Sequence, residues 1–188
     1  MLEASLLRHG WPYHYIHADY AGFSTKINTL AHYLRTSGLE YFIMQDAFDT
    51  YCLRPPSDFP THYLGIDAVV VSCEKMCWPD VWRAEHFQAS SPWRYPNSGQ
   101  VYGKSSRFLE LVERYPVENS EDDQRWYTTR AIAGEVLLDE ECNIFQSIGF
   151  ETDGDFDLND GLTNNRTGSR PLFVHGNGRT PLDKFYAL

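Results

Sequence analysis

Two aspartates follow directly on an apolar stretch in the first third of the chain. Asp46 and Asp49 come after the run Tyr41-Phe-Ile-Met, which is typical of a buried strand. In open α/β sheets, ligands bind at the carboxyl ends of the strands. Carboxylate oxygens are the ligands that Mg²⁺ and Mn²⁺ prefer, usually together with substrate phosphates. The pair is therefore a candidate metal site, although an isolated D-x-x-D is more often a turn cap beside a solvated carboxylate.

Three further segments carry side chains suited to the same chemistry. The segment His175-Gly-Asn-Gly follows a predicted strand, so its imidazole can join two carboxylates around a metal while its glycines admit a pyrophosphate. Glu121-Asp-Asp-Gln stands at a predicted helix start, where acidic residues also simply stabilise the helix dipole. Asn97-Ser-Gly offers small polar groups that can hydrogen-bond sugar hydroxyls.

Composition limits the class of protein. With 188 residues, 42% of them hydrophobic, the chain is long enough for one globular domain with a sizeable core. The formal charge of −10 argues against a broad nucleic-acid footprint and makes a duplex acceptor unlikely, whereas it suits metal binding and a neutral or cationic acceptor. No apolar run approaches the ~20 residues that span a bilayer, and the start shows no signal peptide, so a cytoplasmic location is predicted.

The four cysteines have no metal-site pattern. Cys73-x3-Cys77 lacks a matching second pair, so a zinc site is not expected and buried free thiols are favoured. The segments of Cys77 and Cys142 can meet in space, so the pattern leaves a disulfide between these two residues open.

The elements alternate between helices and strands. Helices are predicted over Leu2–His9 and from Ser24 or Thr25 to Arg35, and strands over Tyr13–His17, Tyr41–Met44 and Ala68–Cys73. This βαβαβ-like order predicts an α/β fold, a single domain with a mixed, mainly parallel sheet flanked by helices. Later helices are predicted over Ser105–Tyr115 and Glu121–Glu135, and later strands over Val136–Asp139 and Asn143–Ile148.

The acidic run at 153–161 is ambiguous between a calcium loop and a hairpin. Leu158 occupies the position at which a calcium loop needs glycine for its sharp turn. A hairpin that turns at Asn159-Asp-Gly, with Pro171–Val174 as its partner strand, is therefore preferred.

Taken together, the motifs resemble one family over nearly the whole chain: the glycosyltransferase domain of the procollagen lysyl hydroxylase and collagen glucosyltransferase enzymes. The matching stretches occur in the family's order and spacing. They are Lys26–Leu34, Phe42–Asp49, Val70–Asp80 with Cys77-Trp-Pro-Asp, Asn97-Ser-Gly, Asp122-Asp-Gln with Tyr127-Thr, Leu138-Asp with Ile144-Phe-Gln, and Val174-His-Gly-Asn-Gly.

The resemblance implies a GT-A-like, Rossmann-type fold that uses a UDP-sugar with Mn²⁺ or Mg²⁺. By the same resemblance, the metal ligands are Asp46, Asp49 and His175. The positions around the donor nucleotide and sugar are Lys26, Asp46, Asn97, Asn177 and Gly178. Trp78 matches a mobile-loop tryptophan near the sugar, and Asp122 and Asp123 match an acidic pair that faces donor sugar and acceptor.

The chain departs from the family pattern at three places. Pro181 stands where the family has a lysine, which leaves Arg179 or Lys184 to supply positive charge, and Gln100 replaces a second glycine after Asn97-Ser-Gly. The family's first strand has no counterpart at the start of the sequence, so we expect either a truncated start or a sheet closed differently. Lysyl hydroxylation is not expected, because no hydroxylase domain follows Leu188.

The resulting prediction is a metal-dependent hexosyltransferase that moves glucose from a UDP-sugar to an acceptor hydroxyl. By resemblance the acceptor is galactosyl-hydroxylysine in a collagen-like chain. Since acceptor choice is not fixed by a fold, a glycan or a hydroxylated nucleobase remains an alternative acceptor. A second alternative is a degenerate, non-catalytic protein that binds a UDP-sugar or a metal.

Overall fold

A mixed four-stranded sheet forms the centre of the protein. The computed structural model describes residues 1–152 and 154–186, with Arg179 described by its backbone only. The strands, in chain order, are β1 (Tyr41–Gln45), β2 (Thr50–Cys52), β3 (Val69–Glu74), β4 (Tyr95–Lys104) and β5 (Leu137–Leu138). The order across the central sheet is β1-β4-β3-β5. The prediction of an α/β fold is confirmed.

The direction of β4 differs from a simple parallel alternation. β4 is antiparallel to both β1 and β3, and β5 is parallel to β3, so β1, β3 and β5 share one direction. A parallel neighbour needs a long crossover, usually a helix. The β3–β4 connection contains only a short 3₁₀ helix, Val81–His86, so the chain reverses and β4 enters between β1 and β3.

Helices cover both faces of this sheet. They are α1 (Leu2–His9), α2 (Thr25–Ser37), α3 (Ser105–Arg114) and α4 (Asp123–Ile132). The helices predicted from the sequence are present, and α1 ends as expected at Gly10, whose φ of 75° requires a left-handed residue. α2, α3 and α4 contribute to one core with the sheet, built from residues such as Ile27, Phe42, Val71, Phe108 and Tyr127. α1 packs into a second core with Tyr102, Phe145 and Phe173.

A second sheet lies beside the first and uses the later strands β6 (Phe145–Ser147) and β9 (Phe173–His175) together with β2. β9 pairs antiparallel with β2, which places Thr50 opposite His175, and parallel with β6. A two-stranded hairpin is formed by β7 (Phe156–Asp157) and β8 (Thr163–Asn164). The second sheet therefore brings the two ends of the chain together next to Asp49.

Two predicted pairings were wrong. The hairpin turns near Asn159-Asp-Gly as predicted, but its partner strand is Thr163–Asn164 rather than Pro171–Val174. Phe173 and Val174 are instead completely buried between β2 and β6, because their continuous apolar character suits a central strand. Tyr13–His17 is irregular rather than a strand. Its alternating aromatic residues suit a pleated surface, but among the described residues β1 pairs only with β4 and offers this segment no ladder.

An open groove of about 1020 Å³ runs beside β1. Its walls come from α2, from β1 and from the aromatic segment 11–23, and its lining is mostly apolar. Lys26, Asp46 and Asp49 line the same groove. It is therefore large enough to receive a small organic ligand next to charged groups.

Two smaller expectations concern thiols and membranes. All four cysteines are free and buried, as the sequence predicted. Within residues 1–152 and 154–186, none of the helices combines the length and the apolar character needed to cross a bilayer.

Candidate active site

Two strand ends bring together Asp46, Asp49 and His175. Each residue offers one ligand atom, and these atoms lie within 4.8 Å of one another. Two backbone hydrogen bonds hold the carboxylates in place: Asp46 N–H donates to the Gly99 carbonyl at 2.8 Å, and Gly176 N–H donates to the Asp49 carbonyl at 2.8 Å. The His175 Nε2 atom lies 3.5 Å from Asp49 Oδ2. Residues separated by more than a hundred positions thus form one cluster of potential metal ligands.

The two carboxylates of this cluster differ in their electrostatics. Burial raises the pKa of Asp46, which exceeds the opposing effects of Lys26 and His175. Burial also acts to raise the pKa of Asp49, but the hydrogen bond and charge interaction with His175 outweigh it and lower the pKa. Asp49 is therefore the better anionic ligand in the unliganded protein, and a cation beside Asp46 would favour its charged form.

Gly99 lies flat against the imidazole of His175. A Cβ atom at this position would stand 2.2 Å from His175 Cε1, closer than any real contact. The approach is produced by a bulge, because the β3–β4 register shifts so that Val71 pairs with Val101 but Ser72 pairs with Asn97. His175 is buried, and its Nδ1 has no partner among the described residues. The bulge thus fixes the imidazole plane.

Lys26 links the potential metal ligands to the acidic residues of α4. Its ammonium donates to both carboxylate oxygens of Asp46 at 3.1 Å and lies 2.8 Å from Asp123 Oδ2. Burial opposes the charge of Lys26, but the combined attraction of Asp46 and Asp123 raises its pKa. Lys26 is therefore a cation at neutral pH, held at the edge of the groove where an anionic diphosphate can reach it.

The neighbouring aspartates of α4 point to different partners. Asp123 is 4% exposed and faces Lys26. Asp122 is the N-cap of α4 and accepts a hydrogen bond from the backbone N–H of Arg125 at 2.8 Å. Only Asp123 is thus joined to the cluster in this structure, while Asp122 meets the helix-capping interpretation that the sequence also allowed.

Trp78 lies on the surface beside the start of α4. Its side chain is 58% exposed, while its backbone carbonyl accepts a hydrogen bond from Gln124 Nε2 at 2.9 Å. The following residue pair is anchored as well, since Asp80 accepts from Arg125 at 2.8 Å. The indole is therefore free to cover a ligand while its backbone is held.

The residues after β9 differ in their engagement. Asn177 donates to Glu74 at 2.6 Å, whereas Gly178 is exposed in a left-handed conformation with φ of 63°. The side chain of Arg179 lies outside the described residues. The ammonium of Lys184 lies 5.1 Å from the centre of the Phe185 ring, so it is engaged with an aromatic residue. A substitute for the lysine that Pro181 replaces thus stays a prediction.

Sequence reasoning missed Glu74 as a functional candidate. Glu74 ends β3, is 5% exposed, and accepts hydrogen bonds from the side-chain amides of Asn97, Gln124 and Asn177. The signal was present, because a carboxylate directly after the apolar run Val69–Cys73 obeys the same strand-end rule that singled out Asp46. Asn97, expected to face a sugar, is instead 3% exposed within β4.

We expect Lys26→Met to weaken binding of UDP in the presence of Mn²⁺ by about 10- to 100-fold, because a charge-assisted hydrogen bond contributes about 1.5–3 kcal/mol. Titration calorimetry measures this affinity. Lys104→Met is the matched control, since Lys104 also pairs with an aspartate, Asp67 at 3.2 Å, but outside the site. Equal UDP affinities of the two variants would contradict a role for Lys26 in the diphosphate site.

Known proteins show where this site belongs. A family model described as "PLOD GT domain" matches residues 10–185. Uncharacterized protein R699 of Acanthamoeba polyphaga mimivirus is 28% identical over 165 residues, which cover 84% of this chain and 36% of that protein. The human multifunctional procollagen lysine hydroxylase and glycosyltransferase LH3 is 26% identical over 153 residues, covering 75% of this chain and 21% of that protein.

A solved structure also shows similarity. The crystal structure of apo mouse xyloside xylosyltransferase 1 gives a TM-score of 0.49 at 12% identity, over 85% of this chain and 65% of that one. The chain spans only about a third or less of the length of the two curated relatives, at 36% and 21%. Since the family model covers most of the sequence, this chain belongs to the PLOD GT domain family and is a glycosyltransferase domain.

Proposed function

We propose that the chain binds a UDP-sugar with Mn²⁺ or Mg²⁺ and transfers the hexose, glucose, to an acceptor hydroxyl. The observation that carries this proposal is the cluster of Asp46, Asp49 and His175 within 4.8 Å, on strand ends next to the groove beside β1. Membership of a glycosyltransferase domain family supplies the reaction class.

The residues of the cluster fit a divalent cation. Two carboxylates and one imidazole are ligands that Mn²⁺ accepts, and the remaining positions are open to phosphate oxygens. The backing of His175 by Gly99 holds the ring for such a role. When bound, the metal supplies Lewis-acid stabilisation of the charge that develops on the departing nucleoside diphosphate.

The other side chains have separate tasks in this proposal. Lys26 provides a second positive charge for the diphosphate, and the aromatic residues of segment 11–23 receive the nucleoside in the groove. Asp123 lies next to Lys26, where a carboxylate can orient the acceptor hydroxyl or stabilise positive charge on the sugar. The exposed indole of Trp78 covers the hexose and excludes water, which limits hydrolysis of the donor.

The proposed acceptor is a galactosyl-hydroxylysine side chain of a collagen-like polypeptide. Support comes from the similarity to LH3, whose name describes a procollagen lysine hydroxylase and glycosyltransferase. The net charge of −10 favours a neutral or basic polypeptide over a polyanion as partner. A glycan or a hydroxylated nucleobase is the alternative acceptor class.

A binding protein without transferase activity is the second candidate. It is favoured by the engagement of Lys26 with both oxygens of Asp46 and by the commitment of Asp122 to the helix cap. In such a protein the same residues would hold a UDP-sugar without turning it over.

Two measurements on the same protein separate these candidates. Calorimetry with UDP, with and without Mn²⁺, is expected to show binding that depends on the metal. UDP release from UDP-glucose is then expected with a galactosyl-hydroxylysine peptide and, more slowly, with water. Metal-dependent binding without any UDP release would favour the binding protein, and failure to bind UDP would contradict both candidates.

A further inference from the structure

A buried carboxylate with no cationic partner lies at the end of β3. Glu74 is 5% exposed, and within the described residues it takes part in no salt bridge. Burial raises its pKa, and the amide hydrogen bonds act in the opposite direction. Burying a carboxylate is costly unless hydrogen bonds compensate it. Here the compensation comes from side-chain amides on three different segments, which is more than a surface-facing strand end needs.

The amides around Glu74 come from separate parts of the site. Its Oε1 atom accepts from Gln124 Nε2 at 2.6 Å and from Asn97 Nδ2 at 3.2 Å. Its Oε2 atom accepts from Asn177 Nδ2 at 2.6 Å. These residues belong to the start of α4, to the bulge of β4 and to the turn after β9. One carboxylate thus joins three segments that have no other reason to share an orientation.

Each amide has a second contact that reaches a residue already placed in the site. Gln124 Nε2 also donates to the carbonyl of Trp78 at 2.9 Å, and Asn97 Oδ1 accepts from the N–H of Gly99 at 3.0 Å. Asn177 follows His175 by two residues. A continuous set of hydrogen bonds therefore runs from the metal-ligand side of the site to the tryptophan side, with Glu74 at its centre.

The charge of Glu74 also decides how the amides face. A carboxylate can only accept hydrogen bonds, so every amide must turn its NH₂ group toward Glu74 and its carbonyl oxygen away. The Oδ1 atom of Asn177 is left without a partner among the described residues. A neutral side chain in place of Glu74 would remove this constraint and let the amides rotate.

We propose that Glu74 is a positioning residue that fixes the amides of Asn97, Gln124 and Asn177, and through Gln124 the backbone of Trp78, as the wall against which the donor hexose lies. The inference rests on the proposed function, since it assigns this wall to the sugar of a UDP-sugar. Glu74 acts through the three amides, whereas the cluster of Asp46, Asp49 and His175 serves the nucleotide. Sugar recognition and nucleotide recognition are thus carried by different residues.

The test compares affinities for UDP-glucose and for UDP, both with Mn²⁺, by calorimetry. Glu74→Gln keeps the size of the side chain but turns an NH₂ group toward the NH₂ group of Asn177. We expect UDP affinity within about twofold of the unaltered protein, while the ratio of UDP-glucose affinity to UDP affinity falls by about tenfold, as for loss of one or two hydrogen bonds.

A second substitution tests whether Glu74 acts through the amides. In Glu74→Gln/Asn177→Asp the glutamine donates to the new carboxylate, so the hydrogen bond and the net charge are both restored. The ratio of affinities is expected to recover in this double variant. Failure to recover would overturn the positioning role, because direct contact of Glu74 with the sugar is not restored by a change at position 177.

Controls separate positioning from general stability. Asp139 is another fully buried carboxylate, and it accepts backbone hydrogen bonds from residues 143–145. Asp139→Asn is expected to lower the melting temperature without changing the affinity ratio. If Glu74→Gln does not fold, Gln124→Met removes one amide with Glu74 in place, and the ratio is again expected to fall.

Two negative results have different meanings. An unchanged affinity ratio in the folded variants overturns the inference on Glu74 and leaves the proposed function intact. Absence of UDP binding by the unaltered protein overturns both.

Discussion

Asp49→Ala is expected to weaken Mn²⁺-dependent UDP binding by at least about 100-fold, since changes to mere outer partners of metal ligands already cost about 10–100-fold. Asp49 is a strong candidate because His175 lowers its pKa, so the carboxylate is charged at neutral pH. Its loss leaves only Asp46 and His175 in the cluster. Calorimetry with UDP at fixed Mn²⁺ concentration measures the effect.

The control for this variant is an aspartate of similar sequence context away from the site. Asp157 ends the short strand β7 and is exposed, so Asp157→Ala is expected to bind UDP like the unaltered protein. The melting temperature of Asp49→Ala is expected to stay close to normal or to rise, because mutual repulsion with Asp46 is removed. An unchanged UDP affinity in Asp49→Ala would remove the metal assignment.

Gly99→Ala is the second substitution with a large expected effect. The added Cβ would lie 2.2 Å from His175 Cε1, so either the imidazole or the bulge of β4 must move. We expect loss of Mn²⁺-dependent UDP binding together with a loss of about 1–3 kcal/mol in the free energy of unfolding, the usual cost of overpacking. Metal titration and thermal unfolding of the same sample measure the two effects.

A second glycine of β4 provides the matched control. At Gly103 the added Cβ would lie 2.9 Å from the carbonyl oxygen of Ala68 and from Val69 Cα, outside the site. Gly103→Ala is therefore expected to destabilise the fold to a similar degree and yet bind UDP normally once folded. If Gly99→Ala kept normal metal-dependent binding, the imidazole of His175 would not need its present plane.

The fold was largely predictable where one segment reports on itself. The apolar runs before Asp46 and through Val69–Cys73 identified two strands of the sheet, and Gly10 and Gly38 marked helix ends correctly. The pairing of strands was less predictable. β4 enters between β1 and β3, and Phe173–His175 pairs with β2, because those contacts depend on the burial of remote segments rather than on local pattern.

The site shows the same division. Asp46, Asp49 and His175 could be singled out because each directly follows or ends a strand, and the structure brings them together. Lys26 and Asp123 also meet at 2.8 Å, although nothing local in the sequence indicates that contact. The role of Glu74 depends on three amides from distant segments, and the stacking of Gly99 on His175 depends on a bulge, so neither was visible before the chain was folded.

The central claim is that Asp46, Asp49 and His175 hold a divalent metal that carries the diphosphate of a UDP-sugar. Its most direct test is a crystal grown with UDP and Mn²⁺, in which anomalous diffraction locates the manganese. The account predicts one strong peak between the two carboxylates and the imidazole, with the diphosphate on its open side and near Lys26. A diphosphate bound without manganese at these three residues, or manganese bound elsewhere, would contradict it.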